Sequence, residues 1–221
     1  MKLSHRLSEI YDMLEQNSNV ADIGADHGQL IIEFAKQNKD SELFCNDNKV
    51  GPFTILKNNI SKYNLTNVEV SLSSGISALP DYINCVVIAG MGGDLIVKIL
   101  NDGIDKLKNV ETLVLAPNAN AKEVRKFVTS IGYYIVSESI IFEKHYYEII
   151  KFKKGQRQYD DLDYEFGPIL RKEKCETFKN KYLEDINALK ELLHKNLSKE
   201  RKEEVLNQLE RIKSLWKHVL Y

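Results

Sequence analysis

An α/β fold with a mostly parallel, seven-stranded sheet and an antiparallel hairpin at one edge is predicted from three observations. Five short apolar runs are each followed by a turn, and helix-spaced apolar patterns recur between them, as parallel pairing requires, because parallel neighbours need a crossover. One of these runs, Cys85-Val86-Val87-Ile88-Ala89, is apolar throughout, the pattern of a strand buried on both faces. Two later runs, 133–142 and 146–152, are separated only by Glu143-Lys144-His145, too short for a helix, so they must fold back on each other.

The elements follow in order. Leu3, Leu7, Ile10, Tyr11 and Leu14 recur at helical spacing, with Lys2, His5 and Arg6 near the start, and predict a short helix lying on the domain that follows. Residues 20–23 form a first strand that ends in the turn Gly24 to Gly28, and Leu30, Ile31, Phe34 and Ala35 then mark an amphipathic helix. The second strand, 43–45, runs into Asn46-Asp47-Asn48 and a helix carrying Ile55, Leu56 and Ile60. The third, 68–72, ends at Ser73-Ser74-Gly75. The fourth closes in Gly90-Met91-Gly92-Gly93 before a helix with Leu95, Ile96, Ile99 and Leu100, and the fifth, 112–115, meets a turn at Ala116-Pro117-Asn118.

A parallel sheet ending in one antiparallel hairpin resembles the class I, Rossmann-like methyltransferase fold more than an ordinary dinucleotide-binding domain. Beyond Phe152 the composition changes, to Lys153-Lys154-Gly155-Gln156-Arg157 and then to an acidic connector ending in Gly167-Pro168. The predicted boundary separates a Rossmann-like domain, 1–157, from a linker and helical domain, 158–221. In the latter, Phe178, Tyr182, Ile186, Leu189, Leu193 and Leu197 form one seam, and Val205, Leu209, Ile212, Trp216 and Val219 another. Their alternating three- and four-residue steps predict an antiparallel coiled-coil hairpin, with Ser198 as N-cap and Glu200 and Glu203 near the positive end of the second helix. Its lysines and glutamates are read as a solvated surface, with a specific RNA contact as the alternative that removal of the hairpin tests.

Lys+Arg and Asp+Glu nearly cancel at 31 and 32, which argues against a protein that coats nucleic acid, although a local basic face remains compatible with RNA. Cys45, Cys85 and Cys175 are odd in number and widely spaced, so neither a disulfide framework nor a zinc site is expected. Residues 1–6 lack an apolar signal core and no stretch is long enough to span a bilayer. A cytoplasmic monomer, without metal or membrane, is expected.

The chemistry begins at Asp22-x-Gly24-x-Asp26-x-Gly28. Glycine lets the chain turn sharply at the carboxyl end of the first strand and brings a ligand against bare backbone. Asp26 stands where the dinucleotide fingerprint has its second glycine; it would repel a pyrophosphate but suits the sulfonium and amino groups of S-adenosylmethionine. Asp47 ends the second strand about twenty residues on, where an acid can accept both ribose hydroxyls. Ser74 and Gly75 can flank an adenine ring, and Gly90, Met91 and Gly92 leave room for donor and acceptor around an adaptable thioether.

These residues carry a family resemblance. Ala21-Asp22-Ile23-Gly24-Ala25-Asp26-His27, Gly51-Pro52-Phe53, Ala89-Gly90-Met91-Gly92-Gly93, Pro117-Asn118 with Arg125, Tyr147-Glu148-Ile149-Ile150 and Gly167-Pro168 resemble, in order, the bacterial tRNA (adenine-22-N1)-methyltransferase family, often called TrmK. The resemblance implies S-adenosylmethionine as donor and a tRNA adenine near the D-arm as acceptor. It implies that Asp22, Gly24, Asp47, Gly75 and the Gly90 to Gly93 loop frame the cofactor, with Asp26 and His27 at the methyl-transfer centre. Ser74-Gly75 departs from the family's frequent Asp-Gly, so a serine hydroxyl replaces a carboxylate beside the adenine.

N1 attack needs no prior deprotonation but leaves positive charge on the base, which a carboxylate stabilises; Asp26 is the expected helper and His27 the positioning group. N1 lies on the Watson-Crick edge, so the target must be unpaired or flipped, and a cationic lip is expected from His5, Arg6, Pro117, Asn118 and Arg125, with Lys122, Lys126 and the 151–157 cluster. Two other classes use part of this pattern. An NAD-dependent oxidoreductase would share the turn and Asp47 but needs the missing glycine, whereas a non-catalytic RNA-binding adaptor would not need the Met91 loop. Calorimetry with NAD and with S-adenosylhomocysteine separates the first from a methyltransferase.

Overall fold

The computed structural model describes residues 3–216; Lys2 and Val219, assigned above to helices, lie outside them. Helix α1 (His5–Met13) starts at Ser4, whose hydroxyl accepts the Leu7 N–H, and buries Ile10 and Met13. Burial of a side chain such as Ile10 is worth about 1.5–3 kcal/mol, which holds the helix on the sheet. There follow β1 (Val20–Ile23), α2 (Gln29–Gln37), β2 (Leu43–Asp47), α3 (Val50–Lys62), β3 (Val68–Leu72), β4 (Cys85–Ala89), α4 (Gly93–Asp102), a 3-10 turn, β5 (Thr112–Ala116), α5 (Ala121–Ser130), β6 (Tyr133–Glu143) and β7 (His145–Lys154). One connection departs from the predicted rhythm. Between β3 and β4 the chain makes only turns and bends, and Ile76, Leu79 and Ile83 supply the buried cover that a helix would have given.

The seven strands form one sheet in the order β3-β2-β1-β4-β5-β7-β6, parallel through β5 and antiparallel beyond it. Chain order runs outward to one side from β1 and to the other from β4. The crevice beyond the carboxyl ends of these two strands is therefore the topological switch point, where such sheets receive ligands. The edge hairpin is tighter than predicted: pairing continues to Glu143 opposite His145, and Lys144 alone makes the turn at φ 65°. On one face of the sheet Val20, Cys45, Val87, Val114, Ile141 and Ile149 pack with Ile10, Ile31, Phe34 and Leu56 in one apolar core.

Two compact units divide the chain at Pro168/Ile169. Composition placed the boundary at 157, but 158–168 folds with the first unit: α6 (Asp161–Phe166) opens with a capping box between Asp160 and Asp163 and buries Phe166. The second unit contains α7 (Leu170–Glu173), α8 (Glu176–Leu193) and α9 (Lys199–Ser214), the last capped by Ser198 as predicted. Phe178, Tyr182, Val205, Leu209, Ile212 and Leu215 are its buried residues. Leu215, not Trp216, closes the second seam, and Trp216 takes the Lys174 ammonium over its ring at 5.5 Å. Ile186, Leu189 and Leu193 are half-buried, because two helices cover only one side of a seam.

Among the described residues no helix is long and apolar enough to cross a membrane, and no group of His, Cys, Asp and Glu could hold a metal ion. Cys45 and Cys85 are buried and Cys175 is exposed, all as free thiols.

Candidate active site

A cleft of 370 Å³ lies at the switch point, lined by Ile23, Gly24 and Asp26 after β1, Asn46 to Lys49 and Pro52 after β2, Ser73 to Gly75 after β3, and Met91, Leu95 and Ile99 from β4 and α4. That volume suits a small ligand. Gly24, Asp26, Asp47, Ser74, Gly75 and Met91, predicted separately, thus share one cavity, whereas Gly90 and Gly92 flank Met91 without lining it. A larger, more open hollow between Ile104, Leu107, Ile131 and Tyr133 holds none of the predicted site residues.

The cleft is assembled by a residue expected only to end a strand. Asn46 is buried; its Oδ1 accepts the Gly24 N–H at 3.1 Å, while its Nδ2 donates to Ser73 Oγ at 2.9 Å and to the Gly75 carbonyl at 2.8 Å. Its carbonyl accepts the Ala25 N–H at 2.9 Å. One amide thereby joins the ends of three strands. The available signal was an amide closing the otherwise apolar Leu43-Phe44-Cys45, since a buried amide must find partners.

Two glycines are required here, Gly24 by its left-handed backbone and Gly93 by the main chain opposite it. Gly24 turns at φ 73°, and a Cβ there would overlap the Met91 methyl group. At Gly93 a Cβ would lie 2.5 Å from the Asn120 carbonyl oxygen and 2.6 Å from that of Ala119. Its absence lets α4 begin against the loop after β5. Gly93 N–H donates to Ala119 O, Asn118 N–H to Met91 O, and Asn118 Nδ2 to Gly90 O, so the Met91 loop is held along one side.

Asp26 and His27 occupy a turn closed by the Gly28 N–H on the Ala25 carbonyl at 2.7 Å. Asp26 adopts φ 50°, left-handed backbone that an aspartate tolerates better than most residues but still at a cost. His27 Nε2 lies 3.5 Å from Asp26 Oδ2, with both side chains more than half exposed, and Asn59 Nδ2 holds the His27 carbonyl. Neither residue serves packing. Nor does Asp26 cap α2, whose N-cap is Gly28 without a side-chain bond. Asp47 lines the cleft and uses Oδ1 to accept the Lys49 N–H at 2.9 Å.

Asp22 lies one residue before the cleft lining, 6% exposed, and its carboxylate accepts no hydrogen bond from the described residues. Loss of solvent raises its pKa from 3.8 to about 7. A carboxyl raised in the folded state contributes stability that is complete below the unfolded value and is lost as pH rises through the folded one. The ligand-free protein is therefore expected to lose stability between about pH 4 and pH 7, and Asp22→Asn to flatten that slope, as thermal melts across this range would show. An Asn variant with the wild-type slope would refute it.

The predicted acceptor lip divides. His5 is exposed, and its backbone N–H donates to Glu143 Oε1 at 3.1 Å. The Arg6 guanidinium lies 4.7 Å above the Tyr147 ring and donates to Asn118 Oδ1 at 3.2 Å, which joins it through Asn118 to the Gly90 carbonyl. Arg6 and the exposed Asn118 thus stand beside the Met91 loop. Pro117 does not face outward: it is buried directly after the buried Ala116. Arg125 is also no surface contact. It is fully buried, with Nε 2.7 Å from Glu138 Oε1, Nη2 2.6 Å from Glu148 Oε2 and Nη1 3.3 Å from the Tyr164 carbonyl. Val124, Arg125 and Val128 share the inward face of α5, a spacing that was visible beforehand. Lys151 and Lys153 of the basic cluster pair with Glu15.

A family model described as tRNA (adenine(22)-N(1))-methyltransferase, TrmK, matches residues 20–215. The tRNA (adenine(22)-N(1))-methyltransferase of Bacillus subtilis is 28% identical, over 99% of this chain and 98% of its own. The structure of Streptococcus pneumoniae Sp1610 in complex with S-adenosyl-L-methionine is similar at a TM-score of 0.89 and 30% identity, covering 97% of this chain and 99% of that one. The crystal structure of the B. subtilis m1A22 methyltransferase TrmK is similar at 0.86 and 27% identity, covering 97% and 98%. With the family model extending from β1 through α9, the chain belongs to the tRNA (adenine(22)-N(1))-methyltransferase family.

Proposed function

We propose that this protein methylates N1 of adenine 22 of tRNA from S-adenosylmethionine, acting as a cytoplasmic monomer. The observation that carries the reading is the cleft itself, where carboxylates and a thioether line a space at the switch point next to the exposed Asp26–His27 pair. The residues fit the donor: bare backbone at Gly24, an acid at the end of β2 for ribose hydroxyls, and apolar Leu95 and Ile99 for an adenine face. When bound, S-adenosylmethionine supplies a sulfonium-activated methyl group, which the in-plane N1 lone pair takes up as the carbon–sulfur bond breaks, leaving a thioether and a cationic base with no proton removed in that step.

The protein's own groups do the rest. Asp47 holds the ribose, Asp22 gives a buried negative charge to the donor's amino end, and Met91 packs against the transferring centre. Asp26 stabilises the charge that appears on adenine, or accepts its N6 amine, while His27 orients the ring. Arg6 and Asn118 form the acceptor side. A pyrophosphate-bearing cofactor would meet Asp26 and be repelled, which disfavours nicotinamide chemistry. Labelled methyl transfer to unmodified tRNA, followed by nucleoside analysis, tests this reading; a product lacking 1-methyladenosine overturns it.

The helices of the second unit are assigned to substrate binding. A chain ending after Pro168 is expected to retain S-adenosylhomocysteine binding while losing at least about tenfold in tRNA affinity, on the order of two or three phosphate contacts. Cutting there, and not before Gly167, keeps the cap of α6, where the Gly167 N–H donates to the Asp163 carbonyl. Unaltered tRNA affinity would remove the second unit from recognition.

A further inference from the structure

The ribbon formed by β6 and β7 extends well past the rest of the sheet. Its last residue pair with β5 is Leu115 opposite Ile150, yet β7 begins at His145. Five further residues at 3.4 Å each make an overhang of roughly 17 Å. Because β5 and β7 are antiparallel, this overhang projects from the carboxyl end of β5, the end of the sheet at which the cleft opens.

The tip has a composition that folding does not explain. Phe142 and Tyr146 stand opposite each other in the ladder with ring centroids 4.9 Å apart, and Phe142 is 55% exposed. Lys144 and His145 beside them are exposed cations or potential cations. The one acid at the turn, Glu143, accepts the His5 backbone N–H. An exposed phenyl ring on a protruding edge ribbon invites misassociation and serves no core. The ribbon is nonetheless held rigidly at its base, where Ile141 and Ile149 enter the apolar core and Arg6 lies on Tyr147.

We infer that the β6–β7 tip is a nucleotide-stacking platform for the tRNA, in which Phe142 receives an unpaired base next to the target adenine and Lys144 meets the adjoining phosphate. This inference rests on tRNA being the substrate. An aromatic face flanked by cations is the arrangement by which proteins hold unpaired nucleotides. A target methylated on its Watson-Crick edge must leave its pair and its stack, which exposes the face of the base beside it to an aromatic ring.

The test is equilibrium binding of unmodified tRNA by the full-length protein with S-adenosylhomocysteine present, a measurement that does not depend on turnover. Phe142→Ala is expected to weaken tRNA binding about tenfold with unchanged salt dependence, as loss of one stacked base predicts. Phe142→Trp should restore binding and Phe142→Leu should not. Lys144→Gln should weaken binding and lower the salt slope by about one. Unchanged binding by Phe142→Ala, or rescue by Leu as complete as by Trp, overturns the inference. A wild-type protein that binds tRNA but methylates none would refute the proposed reaction and leave the platform result standing.

Discussion

Replacing Asp26 by glycine is expected to reduce methyl transfer by about 100- to 1,000-fold, the range seen when one stabilising group is removed from a transition state, without loss of fold stability. The second half of this expectation follows from the backbone. Asp26 sits at φ 50°, where a side chain costs on the order of 1 kcal/mol and glycine does not. Its carboxylate is 65% exposed and caps no helix, so removing it leaves no buried group unpaired. A residue held in a costly conformation at the mouth of a cleft, whose side chain caps no helix and meets only the exposed His27, is the observation that motivates the proposed catalytic role. Glycine is a better test than alanine, which would keep the strain. Asparagine separates the two remaining roles: it keeps an acceptor for the adenine amine and loses the charge, so a loss as large as glycine's assigns the effect to charge. Steady-state methylation, S-adenosylhomocysteine calorimetry and thermal melts on the glycine and asparagine variants suffice. A glycine variant with wild-type turnover removes Asp26 from the mechanism.

What the sequence revealed and what it concealed divide along a physical line. Period and punctuation were legible: strands 20–23 and 68–72 were placed to the residue, and the three-residue gap after Phe142 forced the edge hairpin. The cleft residues Gly24, Asp47, Ser74, Gly75 and Met91 were found because ligands in such sheets meet strand ends, and strand ends are readable. Partnerships across long separations were not. Asn46 reaches Gly24 and Gly75, and Arg125 reaches Glu138, Glu148 and Tyr164, through pairings that no local pattern announces. Charged residues are on average exposed, which makes Arg125 a candidate for the acceptor lip, whereas the helical face it shares with Val124 and Val128 turns it inward. The domain boundary moved to Pro168 for the same reason: the acidic connector looked like a linker, yet its Tyr164 carbonyl belongs to the Arg125 network.

That network yields the largest expected effect on stability. Arg125→Ala should lower stability by about 3–5 kcal/mol, because it removes the cation set between two carboxylates held out of water: the Glu138 side chain is fully buried and that of Glu148 nearly so. In a protein of this size that corresponds to a fall of roughly 6–20 °C in Tm. Burial opposes the charge on Arg125, yet Glu148 and Glu138 hold its pKa above the ordinary arginine value, so the triad of the wild-type protein is ionised at its centre. Gly167, at φ 80°, closes directly over the pair: a Cβ there would stand 2.6 Å from Glu138 Oε1 and 2.7 Å from Arg125 Nη2. The Gly-Pro motif that the sequence placed near a domain boundary is thus the lid of a buried ion triad, and Gly167→Ala should share part of the loss. The combined variant Arg125→Met, Glu138→Leu, Glu148→Leu is the informative control, since it replaces the buried carboxylates and their cation together by apolar groups. Recovery of most of the Tm in that variant assigns the effect to charge burial. If Arg125→Ala instead melts like wild type while tRNA binding collapses, Arg125 is a substrate contact and the buried triad is not the arrangement that operates in solution.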